Sequence, residues 1–251
     1  MFAAKTNNPL AATPSRIGLR DHSEIVSPTL YDAAANLAVL SLVPSNARLV
    51  LDVGCGTGGN ARELGQRGLV VDGITFSASE ARLAERWCRR VFLHNCESGL
   101  PMTEENYDCV IGSHVLEHIA EPARLLTDIA NVLAPSGKLI VALPNLLFYK
   151  NRARLLFGRF QYETGGLMDQ THLRWYTFTS AQQLIESFSF NVMNAVADGS
   201  VPLPIVRRFE MLKRLCAWLD SFGCRHWPGL FGYQMIYAAE LRRGNNETKA
   251  S

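Results

Sequence analysis

The segment LVLDVGCGTGGN, residues 49–60, constrains this chain more than any other. Apolar, strand-forming residues run into Asp52 and then into a turn carrying Gly54, Gly56, Gly58 and Gly59. Such a turn between a strand and a helix lets backbone approach a ligand closely, where side chains would be in the way. Gly54-x-Gly56-x-x-Gly59 also fits the dinucleotide fingerprint, so the spacing alone does not choose a ligand. Asp52 does discriminate. A carboxylate at the strand end, where a pyrophosphate would sit, repels phosphate and suits a ligand bearing an ammonium group.

The pattern around the turn alternates strands and helices. Residues 47–53, 68–74, 91–95, 108–114 and 138–144 read as buried strands, and 60–66, 79–90 and 122–133 as helices between them. A further helix is expected from Pro28 to Val43, and another at 180–187, followed by strands at 190–196 and 232–241. This rhythm predicts an α/β fold, a parallel sheet with helices on both faces and ligands at the carboxyl ends of its strands. Two stretches break the rhythm. Residues 145–176 are basic and aromatic and too long for a passive connection, and 200–230 carry a helix expected at 203–221. Both are expected to cover the substrate side as a lid. Residues 1–27 read as a polar, proline-punctuated arm and 243–251 as a polar tail, leaving 28–242 as the domain.

Here the chain resembles the class I S-adenosylmethionine-dependent methyltransferases. The hydrophobic-D-x-G-x-G-x-G turn carries the resemblance, with YDCVIGSHVLEHI after the fourth strand, VLAPSGKLIVALPN around the fifth, and GRFQYETGGLMDQTHLRWYTFTS downstream. That last stretch is similar to a subgroup found with polysaccharide and natural-product biosynthesis. The resemblance implies a Rossmann-like, seven-stranded, mostly parallel sheet with an antiparallel last strand, and S-adenosylmethionine as cofactor. It makes Asp52, Gly54, Cys55, Gly56 and Gly58 the binders of the methionine end. Thr75, followed by Phe76, falls where the family has a ribose-binding acid, and Asn95, followed by Cys96, where it has the aspartate near adenine. Neutral hydrogen bonds there are about half as strong as charge-assisted ones. Ser113 falls beside the transferring methyl.

Histidines supply the candidate catalytic groups. His114-Val115-Leu116-Glu117-His118 fits H-x-x-E-H, which on a helix would set two imidazoles on one face, as in inverted zinc proteases. Its place directly after a strand, downstream of the glycine turn, favours a pocket role for His114 and His118 instead. Related O-methyltransferases that hold a divalent ion use E-x-x-E-H; His114 replaces the first acid, and no metal is assigned. Asp169 and His172, three apart, are expected on one face, with Asp169 fixing the His172 tautomer so that His172 acts as general base. Tyr149, Arg152, Arg159, Tyr162, Arg174 and Trp175 would suit an anionic or sugar-like acceptor.

These residues predict methyl transfer to a hydroxyl of a sugar, glycan or secondary metabolite, with N-methylation of an amino sugar or small amine as the alternative. Two other classes share the turn: a nicotinamide oxidoreductase, with Asp72 at about the right distance for ribose, and a degenerate cofactor-binding subunit. With 25 Lys and Arg against 23 Asp and Glu, the charge is too balanced for a global polyanion binder, so no nucleic-acid partner is expected. Six scattered cysteines without a C-x-x-C pair, and no run of roughly 20 apolar residues, suggest reduced thiols and a cytoplasmic protein. The basic, apolar helix near 203–221 could touch a membrane surface, form a lid or make a homodimer contact.

Overall fold

The computed structural model describes residues 34–204 and 206–242. The expected arm, the Pro28 start of the first helix and the polar tail lie outside them. Seven strands form one sheet: β1 (Leu49–Val53), β2 (Val70–Thr75), β3 (Arg90–Leu93), β4 (Tyr107–Ser113), β5 (Leu133–Pro144), β6 (Phe190–Gly199) and β7 (Gly232–Leu241). Their order is β3-β2-β1-β4-β5-β7-β6. All pairings from β3 to β5 are parallel, and β7 runs antiparallel to both of its neighbours. The Rossmann-like, mostly parallel sheet with an antiparallel last strand is therefore the fold observed.

Alternation along the strands builds two cores. Leu51, Val53, Val110, Leu139 and Val141 face one side, covered by α4 (Pro122–Val132) and α6 (Phe178–Glu186) through Leu125, Leu126, Ile129, Ala181 and Ile185. Val50, Cys109, Ile111, Ile140 and Ala142 face the other, covered by α1 (Leu37–Leu40) and α2 (Gly59–Gln66) through Val39, Leu40, Ala61 and Leu64. With successive side chains on opposite faces, Asp52 shares the Val50 face, toward α2. The chain winds outward from β1 through β2 to β3, and from β4 to β5 on the other side. The switch point thus lies between the carboxyl ends of β1 and β4, where Val53 pairs with Gly112.

Four elements differ from the sequence expectation. Of the helix expected to reach Val43, the described residues hold one turn, Leu37–Leu40, capped by the Asn36 side chain. The helix expected at 79–90 is α3, Ala78–Ala84; the Trp87 and Cys88 amides both turn back onto the Ala84 carbonyl so that Arg90 can enter β3 opposite Asp72. Of the 145–176 stretch, Tyr149–Leu156 forms α5, and the segment closes on itself through a bridge between Asn145 and Tyr176. The helix of the second insertion is α7, Lys213–His226, rather than 203–221. Prolines 202 and 204 precede two short 3-10 turns, Val206–Arg208 and Glu210–Leu212, and α7 starts only after them. A single turn, α8 (Pro228–Phe231), leads into β7.

Candidate active site

The glycine turn closes β1 at the switch point. Gly54, Gly56 and Gly58 have φ of 73°, 53° and 89°, a region side chains rarely adopt. At Gly54 a Cβ would also lie 2.6 Å from Val115 Cγ2, so the turn is pressed against the chain leaving β4. Asp52 is fully buried beneath it. Its Oδ1 accepts a 3.4 Å hydrogen bond from Asn60 Nδ2, and its Oδ2 has no partner among the described residues. Burial pushes this carboxyl up to about 7, against the Asn60 hydrogen bond. An orphaned, buried acceptor beneath a turn of glycine backbone fits the amino-acid end of the expected cofactor. The Cys55 thiol instead packs down against Gly73 and Cys88, leaving only its backbone for a ligand.

At the end of β2, Thr75 does not stand alone. Its Oγ1 donates to Glu80 Oε2 at 2.7 Å and accepts from the Ser77 amide at 3.2 Å. Glu80 sits in the first turn of α3, behind the Ser77 N-cap, and brings a carboxylate to the position whose acid the sequence lacks. The S-x-x-E spacing of a capping box is its sequence signal, which a reading of Thr75 alone misses. Phe76 is largely exposed beside it. Asn95 spends its Oδ1 on the Glu97 amide, 3.0 Å away, to cap a short turn, and burial raises the Cys96 thiol to about 11. Asp72, the alternative ribose acid, lies mid-strand and fully buried, bonded to Arg89, Arg90 and the Tyr107 hydroxyl. It is not a ligand-facing group.

A chain of polar contacts links this half to the other. Asn60 Oδ1 accepts from the Asn36 amide at 3.0 Å, and Asn36 Nδ2 donates to Ser113 Oγ at 3.2 Å and Gln234 Oε1 at 2.9 Å. Gln234 Oε1 lies 3.1 Å from His114 Nε2, and His114 Nδ1 lies 3.2 Å from Glu117 Oε1. Asn36, Asn60 and Gln234 come from three distant parts of the chain, and no local pattern announces them. Both His114 nitrogens face acceptors, so the ring donates twice. Burial disfavours that charge, but the Glu117 hydrogen bond and charge outweigh it and hold the pKa above the ordinary range. His114 adopts φ 57°, a left-handed backbone that costs about 1 kcal/mol for a non-glycine residue and turns its ring toward both partners. With Nε2 on Gln234 and Nδ1 on Glu117, both ring nitrogens are already engaged within the protein.

The H-x-x-E-H run is not a helix. Leu116–His118 is one 3-10 turn, and its two histidines diverge, His114 toward Gln234 and His118 toward Thr171. His118 Nδ1 lies 3.2 Å from the Thr171 carbonyl, to which it must donate. The Leu173 and Arg174 amides both donate to the Glu117 carbonyl, at 2.8 and 3.0 Å, and dock the downstream segment here. His172 thereby meets His118, with ring centroids 4.8 Å apart. His172 is buried, its Nδ1 has no partner among the described residues, and burial holds its pKa below the ordinary histidine range despite the Glu117 charge.

The expected Asp169–His172 hydrogen bond does not form. Asp169 Oδ1 takes the Thr171 amide at 2.7 Å and the Thr171 hydroxyl at 2.6 Å, closing its own turn; the His172 amide donates to the Asp169 carbonyl, and the carboxylate reaches the imidazole by charge alone. Those bonds also keep the Asp169 pKa low although burial opposes it. In place of that dyad, Glu117, His118 and His172 bring one ligand atom each within 4.8 Å of one another. Glu117 Oε2 and His172 Nδ1 are both buried and unpartnered among the described residues. Two imidazoles and a carboxylate can move a proton or hold a divalent cation.

Of the expected substrate residues, Trp175 lies beside His172, and Tyr162 beside Trp175. Trp175 lies 5.4 Å from His172 and 6.4 Å from Tyr162, with Phe160 closing a three-ring cluster. Arg159 lines a cavity of about 160 Å³ with Asn151, Arg154, Gln161 and Met168. Arg152 and Arg174 are structural ties. Arg152 donates to the Leu147 and Gly229 carbonyls, and Arg174 to the Ala120 carbonyl, beside Glu121. The Tyr149 ring packs between Phe148 and Phe231.

The sequence profile of the methyltransferase-domain family matches residues 26–195. The chain is 30% identical over 125 residues to a demethylmenaquinone methyltransferase of Tropheryma whipplei, covering 48% of this chain and 52% of that protein. It is 31% identical over 110 residues to a ubiquinone biosynthesis O-methyltransferase of Paracidovorax citrulli, covering 38% and 43%. The chain thus spans about half the length of the curated relatives it matches. Its fold matches a solved methyltransferase of Thermotoga maritima at 17% identity and a TM-score of 0.57, covering 82% of this chain and 86% of that one.

Proposed function

This chain belongs to the class I S-adenosylmethionine-dependent methyltransferases, and we propose that it methylates a hydroxyl on a ring-bearing small-molecule or glycan acceptor. The observation that carries this reading is His172, buried and kept neutral, with Nδ1 unpartnered among the described residues. The cofactor supplies an electrophilic methyl with a good leaving group, so the protein must position the nucleophile in line and take its proton. Asp52 and the backbone of Gly54, Gly56 and Gly58 bind the amino-acid end, and Glu80 with Thr75 takes the ribose hydroxyls. Ser113 and His114 shape the wall near the methyl, where the His114 ring is anchored between Glu117 and Gln234. The acceptor ring rests against Phe160, Tyr162 and Trp175, and its hydroxyl gives its proton to His172 as the oxygen–methyl bond forms. A sugar or a phenol of a secondary metabolite presents such a ring and hydroxyl, and the named activity of one relative, an O-methyltransferase, supports oxygen over nitrogen.

The test is a panel of sugar nucleotides, phenols and amines, read by release of S-adenosylhomocysteine. Hydroxyl acceptors should turn over, and His172→Ala should lower kcat by about 10²–10⁴-fold while leaving S-adenosylhomocysteine affinity unchanged. Turnover confined to amines, or an active His172→Ala enzyme, would contradict the reading.

The convergence of Glu117, His118 and His172 favours a second reading of the same site, in which a divalent cation bound there orients the hydroxyl and lowers its pKa. Metal analysis of the purified protein, with loss of turnover on chelation and recovery on adding Zn²⁺ or Mn²⁺, would select it over a free base.

A further inference from the structure

The second insertion presents its apolar residues to water. On α7, Leu215, Trp218 and Phe222 recur at helical spacing along one exposed stripe, with Trp218 60% exposed. The opposite side of the helix is spent on the fold: Cys216, Gly223 and Cys224 are buried, and Gly223 has no room for a Cβ against Val201 and Phe231. The stripe is preorganised, with Trp218 stacked on Phe222 at 5.6 Å and Phe222 on His226 at 4.1 Å. Met211, just before α7, is 87% exposed. In the first insertion, the carboxyl end of α5 exposes Leu156 at 83% and Phe157 at 77%, and α5 is tied to α8, the turn that follows α7. The two pieces are tied by the Arg152 bond to the Gly229 carbonyl and by Tyr149 against Phe231.

Charge is concentrated in the same segments. Residues 145–160 and 200–231 hold nine Lys and Arg against two acids, leaving sixteen against twenty-one elsewhere in the chain. Arg208, Arg214 and Arg225 have no carboxylate partner among the described residues. A face that is both basic and studded with Trp, Phe, Leu and Met matches the interface of an anionic bilayer, where rings and aliphatic chains enter the headgroup boundary and the cations meet lipid phosphates. A second copy of the face would set like charges together, and Met211, Leu215 and Leu156 offer nothing to stack on nucleic-acid bases.

We propose that α5, α7 and the turns before α7 dock this protein on an anionic membrane surface. The face adjoins the ends of β5 and β7 that pair Pro144 with Gln234, next to the His114 network. An acceptor carried in or on the bilayer would thus reach the site from the docked side. Docking does not depend on which atom is methylated, so it stands apart from the reading above.

The test is co-sedimentation of the full chain with vesicles of phosphatidylcholine alone and of phosphatidylcholine with phosphatidylglycerol. Binding should require phosphatidylglycerol and weaken as salt rises. Arg208→Gln with Arg214→Gln should weaken it by about thirty-fold, from ~1 kcal/mol per basic side chain at such a surface. Trp218→Ser with Phe222→Ser should weaken it as strongly, and both double variants should still bind S-adenosylhomocysteine as the parent does, showing that they fold. Equal binding to both vesicles, no binding, or unaffected variants would overturn the proposal. So would lipid-independent dimerisation lost in the same variants, or tighter binding to a DNA oligonucleotide than to the anionic vesicles.

Discussion

The cofactor half and the acceptor half of this molecule are built by different means. The first is a set of local devices on consecutive elements: a strand end with Asp52, three left-handed glycines, and Glu80 behind the Ser77 cap. The second is assembled from positions far apart in sequence, with Glu117 and His118 after β4 meeting His172 in a docked segment and Gln234 in β7. The first is buried and pressed together, whereas the second carries exposed rings. Local devices are readable in a sequence and tolerate little change. Long-range ones appear only in the fold and leave room for acceptor chemistry to vary.

The largest effect that separates the halves is expected at the turn. Gly54→Ala must place a Cβ at positive φ and within 2.6 Å of Val115, combining backbone strain and overpacking of about 1–3 kcal/mol each. S-adenosylhomocysteine affinity, measured by calorimetry, should fall by about a hundredfold or more. Near-parental binding would show that the turn is not the cofactor cradle.

Asp52→Asn comes next, with an expected loss of about 10–100-fold in the same affinity, as for a hydrogen bond to a charged group. It should also stabilise the ligand-free protein. A carboxyl raised from 3.8 to about 7 holds its proton in the folded state across that window, so its contribution to stability falls as pH rises. The Asp52→Asn variant should therefore melt higher than the parent at about pH 8 and lose that advantage near pH 4. A lower melting temperature at both would contradict the burial account.

Glu80→Gln sharpens the comparison more gently. Removing the charge beside Thr75 should weaken S-adenosylhomocysteine by about three- to tenfold while leaving the fold intact. Asp169→Asn should be smallest for chemistry, changing kcat less than about twofold, because Asp169 bonds to Thr171 rather than to His172. Its cost should appear as a lower melting temperature; a hundredfold loss of kcat would restore the Asp169–His172 dyad.

What is legible in the sequence follows the same division. The strand and helix rhythm, the glycine turn and Asp52 are short-range patterns, and the sheet carries them in place. Helix α3 is shorter than its apolar spacing predicts because pairing of β3 with β2, a tertiary demand, stops it at Ala84. The helix in the second insertion starts only at Lys213, past the Val206, Phe209 and Leu212 of its apolar pattern: that spacing reads as a buried face, yet Phe209 and Leu215 are exposed. Asp169 and His172 share a spacing that permits contact, but the Asx-type turn at Thr171 competes for the carboxylate and wins. Glu80 is discoverable from the S-x-x-E spacing behind its helix cap; Asn36, Asn60 and Gln234 are not, since contact alone unites them.

The most direct measurement is calorimetric titration with S-adenosylhomocysteine from about pH 5.5 to 8.5, in two buffers of different ionisation enthalpy. A cofactor ammonium group over Asp52 should expel the proton that burial holds there. Micromolar binding is expected, about −8 kcal/mol, with proton release greatest near and below neutral pH and absent in Asp52→Asn. Binding without proton release, or release that persists in Asp52→Asn, would contradict it.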